Sequence, residues 1–168
     1  AVTRFSSANQ EITGHMDVNV GWKKWAMNTS FTHFNFNDLR MGTNGTDDYL
    51  RPNYVKRQDS ADVVITNPDP LVQTPSGYGQ TNLMQKIRFA PNDKWDFSYG
   101  FHYSTTTDVS RYDRLLRTKN GLPRSAEWYY GPQIWMMNIL NIENKATSGI
   151  YDQMNIRLAM QYFEESRH

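Results

Sequence analysis

The chain has 168 residues, no cysteine, 18 basic against 17 acidic side chains and a mean hydropathy of −0.74. Near-neutral charge leaves no footprint for nucleic acid, and the missing cysteine excludes disulfides and thiolate metal sites. No apolar run approaches the roughly 20 residues of a membrane helix, although a membrane β-barrel, whose apolar signal is spread over alternate positions, averages to polar and stays open.

Five Trp, ten Tyr and eight Phe make this an aromatic chain for its polarity. The sequence has no initiator Met or signal peptide and stops inside an apparent strand, so it reads as a fragment of a longer protein. Residues 1–10 are polar, with Phe5 the only aromatic, and fit either a strand or a lead-in. From Glu11 the pattern sharpens. Ile12, Met16, Val18, Val20 and Trp22 share one parity, and Glu11, Thr13, His15, Asp17 and Asn19 the other, which predicts a strand over 11–22. Lys23-Lys24 is the simplest place for a tight turn into a second strand, 25–36, whose parity blurs at Phe34 and Phe36, where a bulge is expected.

Residues 39–77 collect Gly, Pro, Asn and Asp and read as a long loop, with room for a hairpin around Val63-Val64-Ile65. A strand over 79–90 follows, with Met84 and Gln85 on the wrong parities, then a short turn at 91–94. The strand over 95–107 is the clearest of all. Trp95, Phe97, Tyr99, Phe101 and Tyr103 alternate with Asp96, Ser98, Gly100, His102 and Ser104. A second long loop, 108–132, leads to a strand over 133–143 that is apolar on both parities. A turn at 145–151 then precedes a last alternating strand, 152–163.

From Lys23 onwards the connections run short, long, short, long, short. Outer-membrane barrels alternate short periplasmic turns with long extracellular loops, and Trp22, Trp25 and Trp95 flank the short turns, where an interfacial aromatic girdle belongs. The expected fold is therefore all-β: an antiparallel transmembrane barrel segment of about six strands, part of a larger barrel.

Five stretches carry a family likeness: DLRMGTNG (38–45), DPLVQTPSGYGQTNLMQKIRF (69–89), SRYDRL (110–115), AEWYYGPQ (126–133) and the ending AMQYFEESRH. Together they resemble the early barrel region of TonB-dependent outer-membrane receptors of the Bacteroidota kind, in the haem, haemoglobin or cobalamin branch. The resemblance implies a many-stranded barrel closed by an N-terminal plug that contacts the TonB complex, and neither plug nor TonB box is in this sequence. It also implies active uptake of a large scarce ligand, haem or another iron chelate ahead of cobalamin. Outer-membrane lipid, lipopolysaccharide, and the rest of the barrel and plug would be the partners.

His15 and His102 sit on polar parities, facing the lumen at mid-depth in that arrangement. Imidazole suits haem iron, yet either ring could equally be a neutral hydrogen-bonding member of the wall. Their spacing matches no local metal motif, so no metal site is predicted. Arg111, Tyr112, Arg114, Trp128, Tyr129 and Tyr130 in the second loop, and Arg51 and Tyr54 in the first, combine stacking area with forked donors for carboxylates. The alternative for these is packing of the loops on themselves, with Arg–Asp pairs. Lys86, Arg88, Glu11, Asp17 and Arg157 are expected to form lumen-facing charge ladders.

Arg88-Phe89-Ala90-Pro91 looks like the Arg/Ala/Pro box of haem receptors, but its order is permuted and it enters a short turn on the wrong side for capture. No nucleophile–base grouping or phosphate loop is legible, so an enzyme is not expected. A soluble β-sandwich binding module and a passive porin are the competing classes.

Overall fold

A computed structural model describes residues 1–146 and 149–168. One antiparallel sheet dominates, in which seven strands pair in sequence order. They are β1 (Val2–Ser6), β2 (Glu11–Gly21), β3 (Trp25–Phe36), β4 (Tyr78–Asn92), β5 (Trp95–Thr106), β6 (Ile134–Lys145) and β7 (Gln153–Glu164). The sheet is an open meander with β1 and β7 at its edges, and no closed barrel forms among the described residues.

The count of six strands is corrected to seven. β1 is too short and polar to stand out by alternation; its register against β2, Val2↔His15 to Ser6↔Glu11, creates it. Its four-residue link to β2 lies at the end of the sheet that also carries the long loops, so the alternation of short and long connections begins only after β2. The bulge expected at Phe34 and Phe36 is absent: β3 runs in unbroken register with β4 as far as Phe36↔Tyr78. The register shift falls instead between Phe89 and Asn92, where β4 outruns its partner before the Asp93-Lys94 turn. The Lys23-Lys24 turn is closed by Trp22 N–H donating to the Trp25 carbonyl at 2.7 Å. The predicted turn at 145–151 includes Thr147 and Ser148, which lie outside the described residues.

Register sorts the side chains onto two faces. One face carries Ile12, Met16, Val18, Val20, Trp25, Met27, Phe31, Leu83, Ile87, Phe97, Tyr99, Phe101, Leu140, Ile156, Leu158 and Met160 in aligned rows. Many of these are bare: Leu158 is 58% and Met160 59% exposed. The 133–143 strand, undecided by parity, puts Ile134, Met136, Leu140 and Ile142 on this apolar face and Trp135, Met137 and Ile139 on the other. Leu115 is the one buried apolar side chain among the described residues, and it lies in a loop. Burial of a core thus does not hold this sheet flat against anything; its apolar face is a surface.

Several polar intruders on the apolar face are paired across strands. Thr29 Oγ1 donates to Gln85 Oε1 at 2.7 Å, the His33 and Thr81 side chains meet at 2.9 Å, and Tyr99 Oη donates to Asn138 Oδ1 at 2.6 Å. Gln85, out of pattern in the sequence, is thus placed by register opposite a hydroxyl.

The long connections are folded rather than structureless. Residues 37–77 form a short ladder of Leu39–Arg40 with Val72–Gln73, a 3₁₀ turn at Asp47–Tyr49, and a hairpin of Asn53–Gln58 with Ala61–Thr66. The second connection pairs Val109–Ser110 with Tyr129–Tyr130, holds a one-turn helix at Tyr112–Leu115, and ends in a hairpin of Thr118–Lys119 with Leu122–Pro123.

Candidate functional site

The two long connections meet above one end of the sheet, and Arg51 is where they join. It is 6% exposed and donates Nε to the Thr74 carbonyl at 3.2 Å and Nη1 to the Leu115 carbonyl at 3.3 Å. Its guanidinium carbon lies 5.5 Å from the Tyr112 ring centre, within reach of a cation–π contact. Burial pushes the Arg51 pKa below its ordinary value and the Tyr112 pKa above its own. Arg51 is turned away from solvent and Tyr112 is half-buried. Their partners are the loops themselves.

The base of the first connection hangs on Asp38. Its carboxylate accepts from the Ser76 N–H at 2.6 Å, the Gly77 N–H at 2.9 Å and the Thr74 hydroxyl. Asn67, buried, donates to the Arg51 and Val72 carbonyls at 2.8 and 2.9 Å. Sequence inspection passed over both residues because short Asx side chains in a Gly/Pro-rich stretch look like ordinary turn formers. Asp69 pairs with Arg40, which holds its carboxyl below the usual range.

In the second connection Arg111 is saturated. Nε and Nη2 grip the two Asp113 oxygens at 2.8 and 2.9 Å, and Nη1 donates to the Tyr130 hydroxyl at 2.6 Å. This bidentate pair holds Asp113 below, and Arg111 above, their ordinary pKa values. Arg111 and Arg167 each stand 5.4 Å from the Tyr130 ring. Tyr129 stacks on His168 at 4.9 Å, and the two exchange backbone hydrogen bonds of 2.9 and 3.0 Å. Arg114 covers Trp128 at 5.2 Å, with its Nε buried and without a hydrogen-bond partner. Of the candidate residues, Trp128 at 38% exposure presents the most open ring, and Tyr54 is half-buried on the Asn53–Gln58 strand.

His15 and His102 both project from the polar face, but they are not together. His15 Nδ1 meets Thr32 Oγ1 at 2.8 Å, and its Nε2 lies 3.6 Å from Asp17. His102 sits between Met84 and Met137, with Trp135 6.1 Å away. Three strand spacings separate their strands, about 14 Å at about 4.8 Å each, and the His15 ring is already engaged by Thr32. Among the described residues no group of three or more His, Asp or Glu is arranged to hold a metal ion.

The rest of the polar face is a hydrogen-bonded lattice. Arg88 pairs with Asp96, Arg4 with Glu11, and Ser104 Oγ donates to Asn82 Oδ1 at 2.6 Å. A cleft of about 640 Å³ opens against this face beside Lys86, Arg88, Ser98, Gly100 and His102. A second, of about 560 Å³, lies at the loop end between Ser7, Gln10, Asp38, Arg40 and Tyr78. No family model, curated protein or solved structure matches the chain.

Proposed function

We propose that this chain is a stretch of the wall of an outer-membrane β-barrel, in a TonB-dependent receptor that takes up a large scarce ligand, haem or another iron chelate. The observation that carries the reading is the exposed apolar face. It spans six neighbouring strands with no covering layer among the described residues, and three pairs of its polar members, Thr29 with Gln85, His33 with Thr81 and Tyr99 with Asn138, bond to each other across strands. Lipid imposes that condition, because an unpaired polar group has no water to turn to in hydrocarbon.

Other features support the same reading. β2 to β7 are 11 to 15 residues long, enough for a tilted crossing of about 9–11. Trp25 stacks on Phe89 at 4.2 Å and Trp95 on Phe97 at 5.5 Å, an aromatic belt at the short-turn end of the apolar face. In this reading the polar face meets a lumen and its plug, the apolar face meets lipid and lipopolysaccharide, and the plug engages TonB. Trp128 and the Arg114 beside it are the groups best placed to touch a ligand, and His15 and His102 serve the wall. A β-sandwich would need a second sheet over the apolar face, and the remaining described sheets are two-stranded pieces in the connections.

Tryptophan quenching by brominated lipid tests this directly. Single-Trp versions of the protein that contains this chain, retaining Trp25, Trp95 or Trp135, are reconstituted into vesicles. Trp25 and Trp95 should be quenched strongly and Trp135 weakly. Equal quenching of all three, or none, overturns the reading; none, in a protein that stays monomeric without detergent, favours the soluble module.

A further inference from the structure

The hairpin at the tip of the second long connection concentrates charge of one sign. Residues 114–125 contain Arg114, Arg117, Lys119 and Arg124 and no acidic residue, in a chain whose net charge is +1. The turn is Asn120-Gly121, with φ of 54° and 80°. Two successive positive φ values define the two-residue turn whose twist suits a hairpin, and they suit Asn and Gly. Thr118 pairs with Pro123 and Lys119 with Leu122, and Arg124 N–H donates to the Arg117 carbonyl at 2.8 Å, which extends the same register by one pair.

That register fixes the faces. Arg117 and Lys119 are two residues apart on one strand and share a face, and Arg124 stands directly opposite Arg117 on the same face. Three exposed cations therefore project together, with Cβ atoms of the opposed pair about 5 Å apart. Like charges directly opposed destabilise a hairpin. Elsewhere in the loops the arginines are neutralised or buried: Arg40 by Asp69, Arg57 by Asp62 and Arg111 by Asp113. Arg117, Lys119 and Arg124 have no ion-pair partner among the described residues: Asp113, four residues before Arg117, is already held by Arg111 and Arg114, and Glu127, three residues after Arg124, forms no ion pair with any of the three.

We infer that this face of the hairpin is a binding site for a phosphate-bearing anion, which Arg117, Lys119 and Arg124 grip together. A tetrahedral phosphoryl group presents several acceptor oxygens at once, and two guanidinium forks and an ammonium supply the converging donors. The charge repulsion that costs stability in the free hairpin becomes attraction in the bound one. The phosphate could belong to a soluble compound or to a lipid headgroup, since the chemistry at the hairpin is the same.

The test is calorimetric titration of the full chain with inorganic pyrophosphate, in a phosphate-free maltoside detergent and also without detergent. Binding should saturate, weaken with added salt, and fall at least about tenfold in the R117Q/K119Q/R124Q variant, the loss of one charge-assisted hydrogen bond or more. K23Q/K24Q, at the opposite end of the sheet, should bind like wild type. Arg117→Gln alone should weaken binding while increasing amide protection of the free hairpin, a pair of opposite changes that unfolding cannot mimic. Phosphatidylcholine vesicles with and without lipid A separate the sources: clearly tighter binding to lipid A than to pyrophosphate assigns the site to a lipid headgroup, and equal binding to a soluble phosphate. Absent binding, or binding unchanged in the triple variant, overturns the inference whatever becomes of the barrel reading.

Discussion

The Arg51 guanidinium reaches from the first long connection to the backbone carbonyl of Leu115 in the second, 3.3 Å away, and both residues are almost wholly out of solvent. Arg51→Ala removes both its carbonyl bonds and the contact with Tyr112, leaving two acceptors without donors. We expect a local loss of about 1–3 kcal/mol, read as faster hydrogen exchange in residues 50–76 and 109–118. Exchange in β4 and β5 should be unchanged. Uniform loss across the sheet would mean that Arg51 supports the whole fold and not the joint between loops.

The loops also carry their own pH dependence. Asp113 is held below the ordinary aspartate value by Arg111, so its contribution is present above about pH 4 and is lost as pH falls through its folded pKa. Tyr112 is held above its ordinary value by burial, so its contribution is present below about pH 10 and is lost as pH rises through its folded pKa. Protease sensitivity of residues 108–132 should rise at both extremes and stay flat between them. In Asp113→Asn the acid limb should vanish while the alkaline limb remains.

Tyr99→Phe deletes the hydroxyl that pairs with Asn138 on the apolar face, leaving an amide with no partner there. In lipid this should cost about 1–2 kcal/mol in unfolding experiments, and the double variant Tyr99→Phe with Asn138→Leu should recover most of it. A double variant no better than the single one would show that the face is wet.

Gly77 lies where the first connection rejoins the sheet. A Cβ there would stand 2.8 Å from the Phe36 carbonyl oxygen and close to the Asn37 backbone, atoms that cannot rotate aside. Gly77→Ala should therefore loosen the same ladder that Asp38→Ala releases by deleting its acceptor. The double variant should be less than additive, because both act on one turn. Exchange of the Met41 amide, which donates to the Leu71 carbonyl at 2.9 Å beside that ladder, reports it, and full additivity would separate the two residues.

Strand positions and their two faces were readable from alternation, because a side chain's face depends only on its parity within its own strand. That is why the aromatic row of β5 is plain at residues 95–103, and why the polar row containing His102 needed no fold to identify. Tertiary structure decided what parity cannot contain. Pairing with β2 turned five unremarkable residues into β1, and register with β3 gave Gln85 a hydroxyl to meet. Register also divided the doubly apolar β6 between its faces, and showed that His15 and His102 stand three strands apart. Most of all, it showed Arg51, Tyr112 and Arg111 bonded as struts between and within the loops, where the sequence left packing and ligand binding both open. A guanidinium fork suits a foreign carboxylate and a neighbouring backbone carbonyl equally well, and only the fold determines which of them lies within reach.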